Sequence, residues 1–188
     1  MMETIAIYYS PLASTKIAAY VGLGLAYHMA LVHTNNANVS FGVSSGPSNQ
    51  GTLQTPMLAL DAVLDVAKDI PSAFGTLTSD PKNNHPFRKG YPEDYYTQDF
   101  EGVEYPHVIA MTGPDLSNQW KTIVATYEKI GRLHLTYSPV SQNSNSMAAA
   151  ALREAGIAIP FSVSAKFAPG EFTQLPCGDG KMCGASGR

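Results

Sequence analysis

Residues 138–157, SPVSQNSNSMAAAALREAGI, carry a serine- and asparagine-rich run directly into an alanine-rich segment. Serine and asparagine side chains accept hydrogen bonds from the free N–H groups of a helix's first turn, so the run predicts a capped helix N-terminus. The helix SMAAAALREAG is short and small-faced and is stopped by Gly156, so it can lie close against a sheet. One cap is enough, whereas this junction supplies four polar residues: Asn143, Ser144, Asn145 and Ser146.

Ser144 lies where a nucleophile gains most from a helix. The first turn has a positive potential, and its N–H groups can hold a developing oxyanion. A serine hydroxyl is a weak nucleophile and needs a base within hydrogen-bond reach. Among five histidines, His28 is the candidate base, because it opens the otherwise apolar strand HMALV after GLGLAYH. We interpret the other four as structural or solvated: His33, His85, His107 and His134.

The remaining pattern predicts an α+β fold with a central antiparallel sheet packed against a few helices. The predicted strands are TIAIYY (4–9), HMALVHT (28–34) and VSFGVSS (39–45) joined by the turn NNAN, HVIAMTG (107–113) and RLHLTY (132–137). Apolar residues at helical spacing predict helices at 57–70 and at the segment ending at Gly131, where Asp115 or Ser117 is the expected cap and Trp120 a core residue. Residues 71–107, rich in proline and aromatic side chains, are predicted to form a long insertion or loop.

Composition limits the classes of function. The 188 residues, 44% of them apolar, suffice for one domain, which we assign to residues 1–175. With 14% charged residues and a net charge of −3, the chain lacks the basic surface of a nucleic-acid binder. The apolar run at 17–32 is interrupted by glycines and a histidine, which argues against stable membrane insertion. We expect a soluble protein whose export, if any, uses no classical signal peptide.

The C-terminal segment is glycine-rich, and residues 176–188 are predicted to form a flexible tail. It contains both cysteines, Cys177 and Cys183, for which a local disulfide stays open. Their spacing is wider than that of a C-x2-C metal pair, so no metal is expected. GLG at 22–24 lacks the rest of a dinucleotide fingerprint, and no cofactor is expected. We interpret the acidic residues between 93 and 104 as solvated surface, with a carboxylate or cation site as the alternative.

AYHMALVHT (26–34) followed by a second strand, and much later NSNSMAAAALREAGI (143–157), resembles the circularly permuted papain-like superfamily of NlpC-type peptidases and lecithin retinol acyltransferase. In that superfamily the catalytic histidine opens the first core strand, and the nucleophile follows later at the start of a helix. The resemblance implies His28 as base and Ser144, flanked by Asn143 and Asn145, in the place of the family's cysteine. The NSNS motif also resembles that of bacterial toxin-associated domains.

Three functional hypotheses follow. The first is a hydrolase or acyltransferase that attacks an amide or ester, with a peptide or cell-wall peptide as first substrate and an effector role with an immunity or carrier protein as partner. The second is a catalytically silent papain-like domain that binds a peptide, glycan or partner protein. The third is a structural domain in which QNSNS is only a cap. Ser40 and Ser44, on one face of the second strand, are the candidates to orient the base.

Overall fold

The computed structural model describes residues 2–11, 27–48, 75–79, 85–86, 107–138, 141–160, 172–178 and 180–183. These residues form nine strands and two helices. The strands are β1 (Glu3–Pro11), β2 (Tyr27–Thr34), β3 (Ser40–Val43), β4 (Ser45–Pro47), β5 (Leu77–Ser79), β6 (His85–Pro86), β7 (His107–Gly113), β8 (Pro176–Gly178) and β9 (Lys181–Met182). The helices are α1 (Ser117–Gly131) and α2 (Ser144–Glu154).

Five strands form one sheet in the order β6-β3-β2-β1-β7, and every neighbouring pair is antiparallel. At its centre β1 pairs with β2 from Thr4 opposite Thr34 to Pro11 opposite Tyr27. The strands predicted at 4–9 and 107–113 are thus confirmed as parts of this sheet. An antiparallel sheet with two helices makes the protein α+β, as the sequence pattern predicts.

The hairpin of β2 and β3 is also confirmed, and its turn is built by asparagine. The Asn35 side-chain oxygen accepts hydrogen bonds from the backbone N–H groups of Ala37 and Val39. Asn38 has a φ of 60°, in the left-handed region that asparagine tolerates better than most residues. The turn sets β3 against β2 from Thr34 opposite Ser40 to Leu31 opposite Val43.

The core joins one face of the sheet to both helices. Ile5, Ile7 and Tyr9 alternate along β1 and have no exposed surface, as the period of two requires. On α1 the buried positions recur at helical spacing, and Trp120, only 6% exposed, is confirmed as a core residue. The same cluster includes the following residues of β2, α1 and α2: Met29, Leu31, Ile123, Tyr127, Ile130, Met147, Ala148, Ala150, Ala151 and Leu152.

Helix α2 ends as its sequence predicts. Gly156 takes a φ of 71°, which glycine adopts without steric penalty. The N–H of Gly156 donates to the Arg153 carbonyl, and the N–H of Ile157 donates to the Leu152 carbonyl. This is the bonding of a Schellman motif, with Ile157 and Leu152 both buried beside it. In the described part of the chain, neither helix is long and apolar enough to cross a membrane.

Two predictions between residues 71 and 137 are wrong. RLHLTY is no strand: α1 is followed by a turn with His134 at a φ of 48°, and Thr136 makes only an isolated bridge to Thr76. The segment alternates like a strand, but its backbone bonds to the chain before and at the start of β5 join, among the described residues, Leu135 to Leu77 and Tyr137 to Gly75. The predicted loop in turn contains β5 and β6, which pair with β4 and β3. The helix predicted at 57–70 lies outside the described residues.

The flexible tail predicted from residue 176 does not describe the part that the structure shows. Strands β8 and β9 form a hairpin, and a disulfide joins Cys177 to Cys183 across it. Both cysteines are buried and belong to the hydrophobic core, together with Leu175. The glycine-rich composition here supplies turn conformations, with Gly178 and Gly180 at positive φ, and is therefore compatible with order.

Candidate functional site

The N-terminus of α2 is held by a reciprocal cap. Asn143 is extended, and its side-chain oxygen accepts from the N–H groups of Asn145 (2.9 Å) and Ser146 (3.1 Å). The Ser146 hydroxyl oxygen in turn accepts from the Asn143 N–H at 2.8 Å, which completes a capping box. Two of the four polar residues therefore cap the helix, and Ser144 and Asn145 face other partners.

Ser144 lies beside His28. The serine Oγ and the histidine Nδ1 are 2.8 Å apart, within hydrogen-bond distance, although the residues are 116 positions apart in sequence. Both side chains are deeply buried, with 5% of Ser144 and 1% of His28 exposed. The structure thus brings together the two residues that the sequence pattern proposes as nucleophile and base. Because Nδ1 faces the serine, Nε2 is the nitrogen that a third, orienting group would bind.

Asn145 explains how the helix reaches this end of β2. Its side-chain oxygen accepts from the backbone N–H of Met29 at 2.8 Å. Pairing between β2 and β3 begins only at Leu31, two residues further along. Strand N–H groups lie in the plane of the sheet, so the helix end approaches β2 from its edge, where β3 has stopped. A helix end that approaches from the edge can contact side chains on either face of the sheet. This allows Ser144 to contact His28.

A tyrosine is the third side chain at this position. The phenol of Tyr137 interacts with Ser144. Burial raises the pKa of Tyr137 to about 12, and the interaction with Ser144 offsets that rise only in part, so the phenol keeps its proton at neutral pH. Tyr137 is the last residue of the strand predicted at 132–137, and that pattern does not indicate this contact. The only signal was a residue with a polar tip seven positions before Ser144.

The backbone at the helix N-terminus has one donor that the cap leaves unused. The Asn143 side chain takes the N–H groups of Asn145 and Ser146, and its carbonyl takes that of Met147. Within the described part of the chain, the N–H of Ser144 is the donor of this first turn that these bonds leave unused. We expected several neighbouring N–H groups to be able to hold an oxyanion. The cap leaves one of them, the N–H of the candidate nucleophile itself.

The two serines proposed to support the base differ in position. Ser40 bonds to the Thr34 hydroxyl at 2.8 Å, at the opposite end of β2 from His28. Thr34 is six positions after His28 along the strand, a distance of about 20 Å at 3.3 Å per residue. The assignment of Ser40 to the site is therefore wrong, because side-chain parity says nothing about position along a strand. Ser44 is buried and lies in the chain between β3 and β4, and its role in the site stays a prediction.

A second polar cluster lies at the other end of β2. The His33 Nε2 and a Glu3 carboxylate oxygen are 3.0 Å apart, and both residues are buried. The same oxygen accepts from the backbone N–H of Leu116, the N-cap of α1, at 2.7 Å. The pKa of Glu3 is lowered, mainly by the bond from Leu116 and secondly by the bond to His33. The His33 ring also packs on Trp120, with centroids 5.5 Å apart.

One group in the described part of the chain has metal-ligand geometry. Ligand atoms of Glu154, Cys177 and Cys183 lie within 4.8 Å of one another. The two sulfurs are joined in a disulfide, which removes the thiolates that a metal would need. The residues in this state therefore do not fit a metal ion. The acidic residues between 93 and 104 lie outside the described residues.

Comparisons with protein-family models, curated proteins and solved structures found no match. Any assignment of function therefore depends on the residues themselves.

Proposed function

We propose that the protein is a hydrolase or acyltransferase that cleaves an amide or ester bond, with Ser144 as nucleophile and His28 as general base. The observation that carries the proposal is the 2.8 Å contact between Ser144 Oγ and His28 Nδ1 at the N-terminus of α2. A serine next to a neutral imidazole can lose its proton as it attacks, which is the requirement for activation near neutral pH. The positive end of the helix favours negative charge at the same point.

The reaction proceeds in two steps. Ser144 Oγ forms a bond to the substrate carbonyl carbon while its proton passes to His28 Nδ1, and the carbonyl oxygen becomes an oxyanion that the Ser144 N–H can hold. The oxyanion collapses, the bond to the leaving group breaks, and His28 gives that group the proton. The acyl-serine is then released to water or to an acceptor alcohol or amine by the same steps in reverse.

The substrate class rests on the resemblance to the circularly permuted papain-like superfamily. That resemblance is supported here by the chain order, with the histidine before the nucleophile, and by an antiparallel sheet whose strand β2 carries His28. A peptide, including a cell-wall peptide, is the first substrate to test, and a lipid acyl group is the next. An effector role with an immunity or carrier protein as partner rests on the family analogy alone.

The near-complete burial of both side chains favours a second candidate function. A substrate carbonyl must reach Ser144 Oγ, yet only 5% of that residue is exposed. The alternative is a catalytically silent domain in which the pair locks α2 to β2 and a peptide, glycan or partner protein binds elsewhere. The two functions differ in whether the serine oxygen reacts.

A fluorophosphonate probe separates them, because it forms a covalent bond to an activated serine oxygen. We expect the wild-type protein to be labelled at Ser144, and labelling to be lost in Ser144→Ala and His28→Ala. Ser141→Ala is the matched control: Ser141 is exposed, lies in the same loop and bonds, among the described residues, to Ser138, so its loss should leave labelling unchanged. Peptide mapping identifies the modified residue.

Two outcomes would reject the enzyme. Labelling that is equal in wild type and Ser144→Ala means that the catalytic pair is wrong. A folded wild type that is not labelled, but that binds peptides or cell-wall fragments without cleaving them, supports the silent domain. Digestion of cell-wall fragments, followed by mass spectrometry of the products, identifies the bond that is cleaved if labelling succeeds.

A further inference from the structure

The C-terminal hairpin brings its two cysteines to the end of helix α2. Cys177 lies in β8 and Cys183 follows β9, and the disulfide joins them across the hairpin. Glu154 is the last residue of α2, and a carboxylate oxygen of Glu154 and the two sulfurs lie within 4.8 Å of one another. The disulfide is one chemical state of these cysteines, and the pair of thiols is the other.

The thiol state differs from the disulfide in what it can bind. A chain made in the cytosol carries thiols, because glutathione and thioredoxin keep cysteines reduced there. Both cysteines are buried, with 5% of Cys177 and none of Cys183 exposed. A buried thiolate is costly unless a cation is bound to it, and a metal ion that displaces the thiol proton supplies that cation. The thiol form can therefore hold a metal ion where the disulfide form cannot.

Two thiolates and a carboxylate are ligands that zinc accepts. Thiolate sulfur is a soft ligand that favours zinc over magnesium and calcium. A tetrahedral zinc ion, with Zn–S of about 2.3 Å and Zn–O of about 2.1 Å, places neighbouring ligand atoms about 3.6–3.8 Å apart. The sulfurs can separate to this spacing once no bond joins them, and it falls within the 4.8 Å that encloses the three atoms. Water completes the four ligands, as in other zinc sites with three protein ligands.

The charges near the three ligands suit a divalent cation. Two thiolates and the Glu154 carboxylate carry three negative charges, of which a zinc ion compensates two. The side chain of Lys129 lies beside the hairpin, with its Cε 3.8 Å from the point that a Cβ on Gly178 would occupy. A positive side chain at this place lowers the cost of the remaining negative charge.

Backbone bonds hold the ligands in place independently of the disulfide. The Cys183 N–H donates to the Leu175 carbonyl at 2.8 Å, which closes the hairpin. The Schellman motif at Gly156 fixes the end of α2 and with it the position of Glu154. The spacing of the two cysteines in sequence argues against a metal pair, because it contains no sign of a third ligand that comes from α2.

We propose that Glu154, Cys177 and Cys183 bind one zinc ion when the two cysteines are thiols. Zinc then joins the hairpin to α2 in the reduced protein, whereas the disulfide closes the hairpin in the oxidised protein. The site lies at the opposite end of α2 from Ser144. The inference is therefore independent of the proposed function.

The test is a titration with Co²⁺, which takes the ligands of zinc and absorbs light through its bonds to thiolates. The disulfide is reduced with a phosphine in denaturant: the sulfurs become thiols, the phosphine becomes its oxide, and water supplies the oxygen and two protons. The phosphine is removed and the protein refolded. We expect one Co²⁺ per chain with thiolate absorption that Zn²⁺ abolishes, and no such absorption in the oxidised protein.

Glu154→Gln is the decisive variant, because Glu154 is exposed and its replacement leaves the core intact. We expect its Co²⁺ affinity to fall by more than about tenfold, since the loss of a group that only supports a metal ligand already costs that much. Glu128→Gln is the matched control: it removes an exposed carboxylate from α1 and should leave the affinity unchanged. Cys183→Ser should abolish the thiolate absorption.

Three results would overturn the site: a reduced wild type without thiolate absorption, a Glu154→Gln variant that binds Co²⁺ as tightly as the wild type, or one Co²⁺ shared by two chains. If the reduced protein is unfolded without metal, Zn²⁺ should restore the circular dichroism of the fold, and failure to do so rejects the inference equally. Fluorophosphonate labelling of Ser144 reports the proposed function separately, so either idea can fail alone.

Discussion

Strand β2 carries two buried histidines five residues apart, and each meets the N-terminus of a different helix. His28, at the start of the strand, faces the hydroxyl of Ser144 at the first residue of α2. His33, near its end, faces the carboxylate of Glu3, which also accepts from the N-cap of α1. Both histidines are buried in the same strand, so the difference between the two sites lies in the partner.

The partner determines what each histidine can do. The carboxylate of Glu3 accepts from the Leu116 N–H and lies within hydrogen-bond distance of His33, so it joins β1, β2 and α1. A hydroxyl brings no charge and has a proton to give, so His28 can serve as an acceptor. The role of a buried histidine in this strand therefore depends on the chemistry of its neighbour.

The largest expected effect is on labelling by the fluorophosphonate. His28→Gln should reduce the rate by about 10²–10⁴-fold, the usual contribution of a general base. His33→Gln should leave the rate unchanged, because His33 is at the far end of the strand and its partner is Glu3. Labelling is followed over time on folded protein. Equal losses in both variants would indicate that labelling reports the stability of the sheet and not a base.

The next effect is on stability and concerns the two asparagines that flank the sites. Asn145→Ala removes the acceptor of a buried strand N–H and should destabilise the protein by about 1–3 kcal/mol. Asn36→Ala, at the His33 end, removes an exposed side chain that donates to Glu3 and to the Pro114 carbonyl, and should change stability by about 0.5 kcal/mol or less. Urea unfolding measures both. The idea that Asn145 extends the bonding of β2 fails if the two variants are equally stable.

A smaller effect is expected at the helix caps. Helix α2 is capped by its own Asn143, whereas the N-cap N–H of α1 donates to the Glu3 carboxylate of β1. Asn143→Ala should destabilise the protein by about 1 kcal/mol, and Asn143→Asp, which retains a capping oxygen, should recover most of that loss. Urea unfolding of the two variants provides the check. An aspartate no better than alanine would contradict the capping role.

The smallest effect is a dependence on pH at the His33 end. The pKa of Glu3 is lower in the folded protein than its ordinary value of 4.5, so its bonds stabilise the fold above that value. This contribution is lost as the pH falls through the lower, folded pKa. The stability difference between wild type and Glu3→Gln should therefore shrink as the solution is acidified from neutral pH.

The matched measurement is made at the other end of β2. The difference between wild type and Asn145→Ala should stay constant over the same range, because neither the Met29 N–H nor an amide oxygen titrates there. Urea midpoints along the pH series decide the point. A stability difference between wild type and Glu3→Gln that grows on acidification would contradict the lowered pKa of Glu3.

Local patterns predicted much of the fold, because the features concerned depend on neighbouring residues. The asparagine turn, the alternation of Ile5, Ile7 and Tyr9, and the Gly156 stop of α2 were all readable in this way. Alternation alone failed for RLHLTY, which has the pattern of a strand but forms only an isolated bridge, between Thr136 and Thr76. Composition failed for the C-terminal hairpin, where the disulfide and the buried Leu175 order a glycine-rich segment.

The candidate site likewise has features that the local sequence predicts and features that depend on tertiary packing. The sequence alone determined that a polar run caps α2, that Ser144 stands at its first turn and that His28 opens an apolar strand, since each of these is a matter of local order. Only the tertiary structure decided that β3 ends early enough for α2 to reach the edge of β2, which sets Ser144 beside His28. It also brought in Tyr137 and left Ser40 at the far end of the strand. Parity and spacing describe direction within one element, whereas a site depends on distances between elements, which packing alone sets.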